Sequence, residues 1–299
     1  MINMILTTDG FNGTVTTFTD VYTELSKRGR RVCLNILYKQ PWGTTLNQVL
    51  GVRDFTQLVR RFTGCQDVRV LPYSPTIAKK LITAEGDLTM VCRDTLVATL
   101  MVHDPPVPNR LMLMYPLLVR AAWGHEPWSL TSFNELLIRH DVVVVGNDVN
   151  RRWVTNQVRY MRWRPGFARR RIDVLRTLPV QSTVALSTAT YDHHRRYGTL
   201  TAFDHLRYLY RRREVGPGLT YENIGKLMFE FLLCGRTVHY SPAGKLMDDG
   251  LTEMLARFNV DDDVEQELTI PVDVLENELL DGPFDQLADI IDASQHRRR

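Results

Sequence analysis

Apolar residues along this chain keep two rhythms, and the two alternate. Residues 1–7 are almost wholly apolar or β-branched and read as a buried strand. The turn TTDGFNGT follows. Val15, Phe18, Val21, Tyr22 and Leu25 then recur at spacings of three and four, which predicts a helix over 15–27 that stops at Gly29. Residues 31–38, RVCLNILY, give the next strand, so the chain opens as a βαβ unit. Further strands are expected at 68–72, 88–92, 96–102 and 111–118, and a helix at 132–138. The run DVVVVG at 141–146 suits the interior of a parallel sheet covered on both faces. A helix is expected at 150–161 and a strand at 172–178.

Beyond Pro179 the rhythm restarts. Strands are expected at 182–187 and 237–240. Helices are expected at 199–212, 223–233, 251–258 and 283–293. The boundary placed here gives a first lobe of 1–178 and a second of 179–299. Repeated β–loop–α units in two blocks predict an α/β protein of two Rossmann-like, doubly wound lobes facing a cleft, the second reduced. Such a cleft is the default ligand site.

Length and composition fit that picture. The 299 residues are 44% hydrophobic and 24% charged, enough to bury a sizeable core. The N-terminal strand lacks the basic start and long apolar run of a signal peptide, and no stretch is apolar for the length of a bilayer. A cytoplasmic protein is expected, within the host cell if the chain is viral. Cys33, Cys65, Cys92 and Cys234 stand singly and are read as free thiols, with no zinc spacing and no metal site.

Charge changes the picture more. Net charge is only +3, yet Arg151, Arg152, Arg159, Arg162, Arg164, Arg169, Arg170, Arg171 and Arg176 crowd one stretch whose sole acid is Asp173. After Asp248 acids dominate. The arginines interleave with Trp153, Tyr160, Trp163 and Phe167, the mixture of phosphate forks and stacking rings that a nucleic-acid groove uses. Nucleic-acid contact is assigned to the first eight of those arginines. The plain alternative is a solvated helix face with core aromatics.

The stretch 222–238, ENIGKLMFEFLLCGRTV, carries the most specific pattern. It resembles the signature of retaining GT-B glycosyltransferases. Glu222 and Gly225 open a helix, Glu230 follows eight residues after Glu222, and Cys234-Gly235 closes the helix before a strand. The resemblance implies that Glu230 accepts hydrogen bonds from the ribose of a nucleotide-sugar donor, most readily a UDP-sugar. It places Glu222 and Gly225 at the sugar. The first βαβ, LTTDGFNGTVTTF…ELSKRGRRVCL, is similar to that of the DNA-modifying glucosyltransferases of T-even phages. By that likeness Gly10, Asn12, Gly13 and Thr14 approach the donor. In STATYDHHRRYG at 187–198, Arg195 and Arg196 are the candidates for the diphosphate. Asp104, beside His103, is a candidate for activating an acceptor hydroxyl. His125 with Glu126, and His193 with His194, are lesser loop candidates.

The expected activity is transfer of a hexose from a nucleotide diphosphate to a hydroxyl, with double-stranded phage DNA as one acceptor. No tightly bound cofactor is expected, and the oligomeric state stays open. The second reading is a non-catalytic GT-B-like viral module that binds nucleic acid or is structural. Only nine residues join the helix expected at 199–212 to Glu222, fewer than a full second lobe needs, and this favours it. A third reading, another Rossmann nucleotide enzyme, lacks any GxGxxG or GxxxxGK[ST].

Overall fold

The computed structural model describes residues 1–8, 13–38, 55–64, 68–84, 86–92, 110–114, 137–138, 140–145, 159–177, 182–188, 205–211, 214–216, 219–220, 225–242, 245–246 and 250–295. The first half supplies seven strands: β1 (Ile2–Thr8), β2 (Val32–Tyr38), β3 (Arg69–Pro72), β4 (Leu88–Cys92), β5 (Arg110–Met114), β6 (Val142–Val145) and β7 (Tyr160–Arg162). They form one sheet in the order β3-β2-β1-β4-β5-β6-β7, and every neighbouring pair is parallel. The order reverses between β1 and β4. At such a switch point the connections leave in opposite directions and open a crevice at the carboxyl ends of the strands. β1 ends at that point with Thr8, and α1 starts at Gly13.

Four helices accompany this sheet: α1 (Gly13–Lys27), α2 (Phe55–Thr63), α3 (Pro75–Ile82) and α4 (Arg169–Arg176). α1 is buried from Val15 to Leu25 without a break, although four of those positions are threonines. Their hydroxyls do not go unsatisfied. Thr16 and Thr17 donate to the Gly13 carbonyl at 3.0 and 2.8 Å, Thr19 to Thr16, and Thr23 to Thr19. A helix can therefore be polar in composition and still sit inside the core. The other face of the sheet is covered by Ala78 and Ile82 of α3, packed with Ile5, Leu37, Val91, Leu113, Val143 and Val145. Ser74 caps α3 by accepting from the Ile77 N–H.

The second half builds a smaller sheet from β8 (Ser182–Thr188), β9 (His205–Arg211), β12 (Thr237–Ser241) and β14 (Gln266–Leu268). β8, β9 and β12 are parallel, and β14 joins the edge antiparallel. Three short strands, β10 (Glu214–Gly216), β11 (Leu219–Thr220) and β13 (Lys245–Leu246), form a separate ribbon. The helices here are α5 (Lys226–Leu233), α6 (Gly250–Arg257), α7 (Val272–Leu279) and α8 (Gly282–Gln295). One buried apolar cluster runs from Met4 and Leu6 through Trp163 and Phe167 to Phe229, Phe231 and Tyr240, so both sheets share a core.

Three sequence expectations are corrected. Residues 205–211 form a strand where the pattern predicts a helix over 199–212. HLRYLYR satisfies both periods, and parallel partners on either side, β8 and β12, decide for the strand. Residues 169–176 form helix α4 where the pattern predicts a strand at 172–178, with Ile172 and Leu175 buried at a spacing of three. Residues 160–162 pair with β6 instead of ending a helix. Helix α7 and strand β14 have no counterpart in the sequence reading. Residues 96–102 lie outside the described residues. No helix among the described residues is long and apolar enough to cross a membrane.

Candidate functional site

Where α1, α4 and α5 meet, four charged side chains are buried together. Asp20, Arg171 and Glu230 are each 1% exposed and Lys226 is 6% exposed. The helices dictate the meeting. Asp20 lies on the buried face of α1, Arg171 in the first turn of α4, and Lys226 and Glu230 one turn apart on the otherwise apolar α5. Asp20 is the hub. Its two oxygens accept from Arg171 Nε at 2.7 Å and Nη2 at 2.6 Å, in the planar fork geometry that suits a carboxylate. Asp20 Oδ2 also accepts from Lys226 Nζ at 2.7 Å. The lysine donates onward to the Gly166 carbonyl at 3.1 Å and stands over the Phe167 ring. Arg171 Nη1 donates to Glu230 Oε1 at 2.5 Å. Glu230 Oε2 is buried and has no hydrogen-bond partner among the described residues.

The electrostatics follow from this uneven sharing. Burial pushes Asp20 upward, but Arg171 and then Lys226 outweigh it and hold the carboxyl below its ordinary range. Glu230 accepts one hydrogen bond where Asp20 accepts three, so burial wins and its pKa is raised despite Arg171. Burial lowers Lys226, with Asp20 only partly opposing. Burial pulls Arg171 down, yet Asp20 and Glu230 raise it well above the ordinary guanidinium value.

Because the folded pKa of Glu230 is raised, its contribution to stability is fully present below the unfolded carboxyl value and is lost as pH rises through the folded one. Asp20 acts oppositely, its contribution disappearing only below its ordinary range. Lys226, with a depressed folded pKa, loses stability as pH falls through that value. Glu230→Gln should therefore gain stability relative to the unsubstituted chain as pH is raised from 5 to 8. Urea titrations at a series of pH values read this directly, and a difference that stays flat or slopes the other way would overturn the assignment.

The surrounding backbone is built for the helix. Gly225 caps α5 at φ +59, and a Cβ there would stand 2.7 Å from Leu251 Cδ1. Gly235 ends the helix at φ +69, and the Arg176 guanidinium donates to the Leu233 carbonyl at 2.6 and 3.1 Å. Burial, then Glu230, raises the Cys234 thiol to about 12.

Of the assigned donor residues, Gly13 and Thr14 open α1, while Gly225 and Glu230 meet at α5. Gly10, Asn12, Asp104, Glu222, Arg195 and Arg196 lie outside the described residues. So do Arg151, Arg152, His103, His125, Glu126, His193 and His194.

The arginine stretch is corrected in part. The sequence assigns Arg171 to nucleic acid, but it is buried and held by Asp20 and Glu230, so no polyanion can reach it. Trp163 and Phe167 are core residues and cannot stack on bases. Arg162 and Arg164 both pair with Glu253, the latter at 3.2 Å. Arg169 pairs with Glu276 at 3.1 Å, and Arg159 donates to the Ala293 carbonyl. Arg170 lies over Gly64. The acidic segment thus folds against the basic one. Asp20 and Lys226, half of the buried group, escape the sequence reading. Their signal is a charged residue placed in register with the apolar face of a helix.

Among the described residues, the carboxylates of Asp261, Asp262 and Asp263 could hold a metal by proximity. They sit on a turn whose own hydrogen bonds use them: Asp261 accepts from the Asp263 N–H and Asp262 from Thr252.

No family model and no curated protein matches the sequence. Among solved structures, Anabaena HepE in complex with UDP is similar, with a TM-score of 0.51 at 13% identity over 98% of this chain and 99% of that one. HepE in complex with UDP and glucose gives 0.51 at 12% identity over the same shares. The two proteins share a fold. This end-to-end likeness, together with the parallel seven-stranded sheet and its flanking helices, bears out the GT-B-like α/β class. An α-glucosyltransferase in complex with UDP and a mismatched 13-mer DNA is more distant, with a TM-score of 0.40 at 13% identity over 86% of this chain and 69% of that one.

Proposed function

We propose that the chain is a glycosyltransferase that moves a sugar from a nucleoside-diphosphate donor, of the UDP-sugar class, to a hydroxyl acceptor. The observation that carries this reading is Glu230. It is a buried carboxylate with one oxygen fixed by Arg171 and the other unpartnered among the described residues, on the helix that the Glu222–Val238 motif describes. Its unpartnered oxygen can accept from a ribose hydroxyl, and because the side chain is 1% exposed the donor must displace what covers it. The shared fold with HepE, whose structures hold UDP and glucose, supports the same reading.

In this proposal Gly10 and Asn12, with Gly13 and Thr14 at the start of α1, approach the donor. Arg195 and Arg196 neutralise the diphosphate as it leaves. Glu222 and Gly225 face the sugar, and Asp104 orients the acceptor hydroxyl. The bond from the anomeric carbon to the diphosphate oxygen breaks, and the bond to the acceptor oxygen forms. The acceptor proton passes to solvent or to the leaving diphosphate. Stabilising charge on the leaving group is the main catalytic demand. Arg171 is sealed in the core and Arg151 and Arg152 lie outside the described residues, so the acceptor is assigned only as a hydroxyl.

A panel of UDP-sugars and free UDP should test this by thermal unfolding. A ligand at about 100 times its Kd should stabilise the chain by roughly 2.7 kcal/mol. One donor is expected to do so, and Glu230→Gln, which halves the accepting capacity, should weaken it. Absence of a shift with every donor would point to the non-catalytic reading.

A further inference from the structure

Away from the buried group, three other arginines face one cavity of about 510 Å³. Arg162 ends β7 and Arg164 follows it, so both stand at the carboxyl edge of the parallel sheet, the side on which ligands bind in such sheets. Arg257 comes from the last turn of α6. Asn277 and Glu278 of α7 and Gln286 of α8 complete the polar wall. None of the residues assigned to the donor lines this cavity, so its chemistry stands apart from the donor reading.

Among the residues lining the cavity, Arg162, Arg164 and Arg257 stand against one carboxylate, Glu278. Among the described residues the three guanidiniums meet two carboxylates, Glu253 shared by Arg162 and Arg164, and Glu278 at 2.6 Å from Arg257. The crowding is felt at Arg164. Burial lowers its pKa first, Arg162 lowers it further, and Glu253 offsets this only in part while Arg257 adds to it. An anion entering the cavity would relieve that repulsion. The arginine side chains are 31%, 31% and 40% exposed, so a ligand can reach them, and partly exposed ion pairs give way at small cost.

We infer that this cavity is a second binding site, for a small phosphorylated molecule of the sugar-phosphate or nucleotide class. Planar guanidinium forks match phosphate oxygens bidentately, and the amides of Asn277 and Gln286 offer both donors and acceptors to hydroxyls. The volume lies within the range of small-ligand pockets, about 300–1,000 Å³.

Titration calorimetry with inorganic pyrophosphate, at fixed ionic strength on the full chain, tests the site. The unsubstituted chain should bind it. Arg164→Gln and Arg257→Gln should each weaken binding about tenfold or more, as the loss of a charged hydrogen bond predicts. Asn277→Asp removes no arginine and adds a negative charge to the wall, so it should weaken binding while the fold is kept. Glucose 1-phosphate and UMP then distinguish the two sources, and the tighter of them names the occupant. No binding of pyrophosphate, or equal binding by all four proteins, would overturn the inference.

Discussion

Arg171→Met is expected to lower the free energy of unfolding by about 3–5 kcal/mol, the cost of leaving buried charges without their partner. The guanidinium occupies both oxygens of Asp20 and the single engaged oxygen of Glu230. Methionine fills much of the volume but donates nothing. Asp20 would keep only Lys226, and Glu230 would lose the cation that holds it. The triple variant Asp20→Asn, Arg171→Met, Glu230→Gln removes the stranded charges and should recover part of the loss, because the three sites are coupled and their effects do not add. Urea denaturation followed by circular dichroism measures both. A loss below about 1 kcal/mol for Arg171→Met would mean that the group is solvated after all.

Trp163→Ala should cost a similar amount, about 3–5 kcal/mol, for a different reason. The indole is fully buried, donates to the Pro283 carbonyl at 2.5 Å and meets the Phe284 ring at 6.1 Å. It therefore pins the start of α8 to the edge of the first sheet. Close packing there leaves no slack, since a Cβ on Gly166 would stand 2.7 Å from the Leu279 carbonyl oxygen. Truncation opens a cavity and removes the indole's hydrogen bond to α8. Trp163→Phe should restore most of the packing and retain a cost of about 0.5–1.5 kcal/mol for the lost hydrogen bond. Hydrogen exchange across 282–295 should accelerate in the alanine variant more than exchange in β1. Uniform acceleration would show instead that α8 is not separately anchored.

What can be read in the sequence depends on whether local pattern and long-range partner agree. In β6 and α1 they agree: DVVVVG and the spacing from Val15 to Leu25 admit one answer each. In HLRYLYR they do not, because strand and helix periods both fit and only flanking parallel strands choose. The arginines from 159 to 176 show the same limit for charge. Their crowding is visible, but the partners Glu253 and Glu276 lie about a hundred residues away, and nothing local says that they return. Glu230 is found through its motif spacing, and its burial is expected from the apolar run around it. Its cation cannot be chosen from the sequence, since many arginines compete and only the docking of α4 selects Arg171.

The buried quartet has a consequence for cutting and engineering the chain. Asp20 and Arg171 come from before residue 178, while Lys226 and Glu230 come from after it. A chain cut between these pairs would keep a near-neutral couple in each fragment but expose to water the core face on which they now meet. Chimeras with proteins of the same fold should therefore exchange α1, α4 and α5 as a set, since a mismatch at one of them would leave an odd charge sealed at the joint.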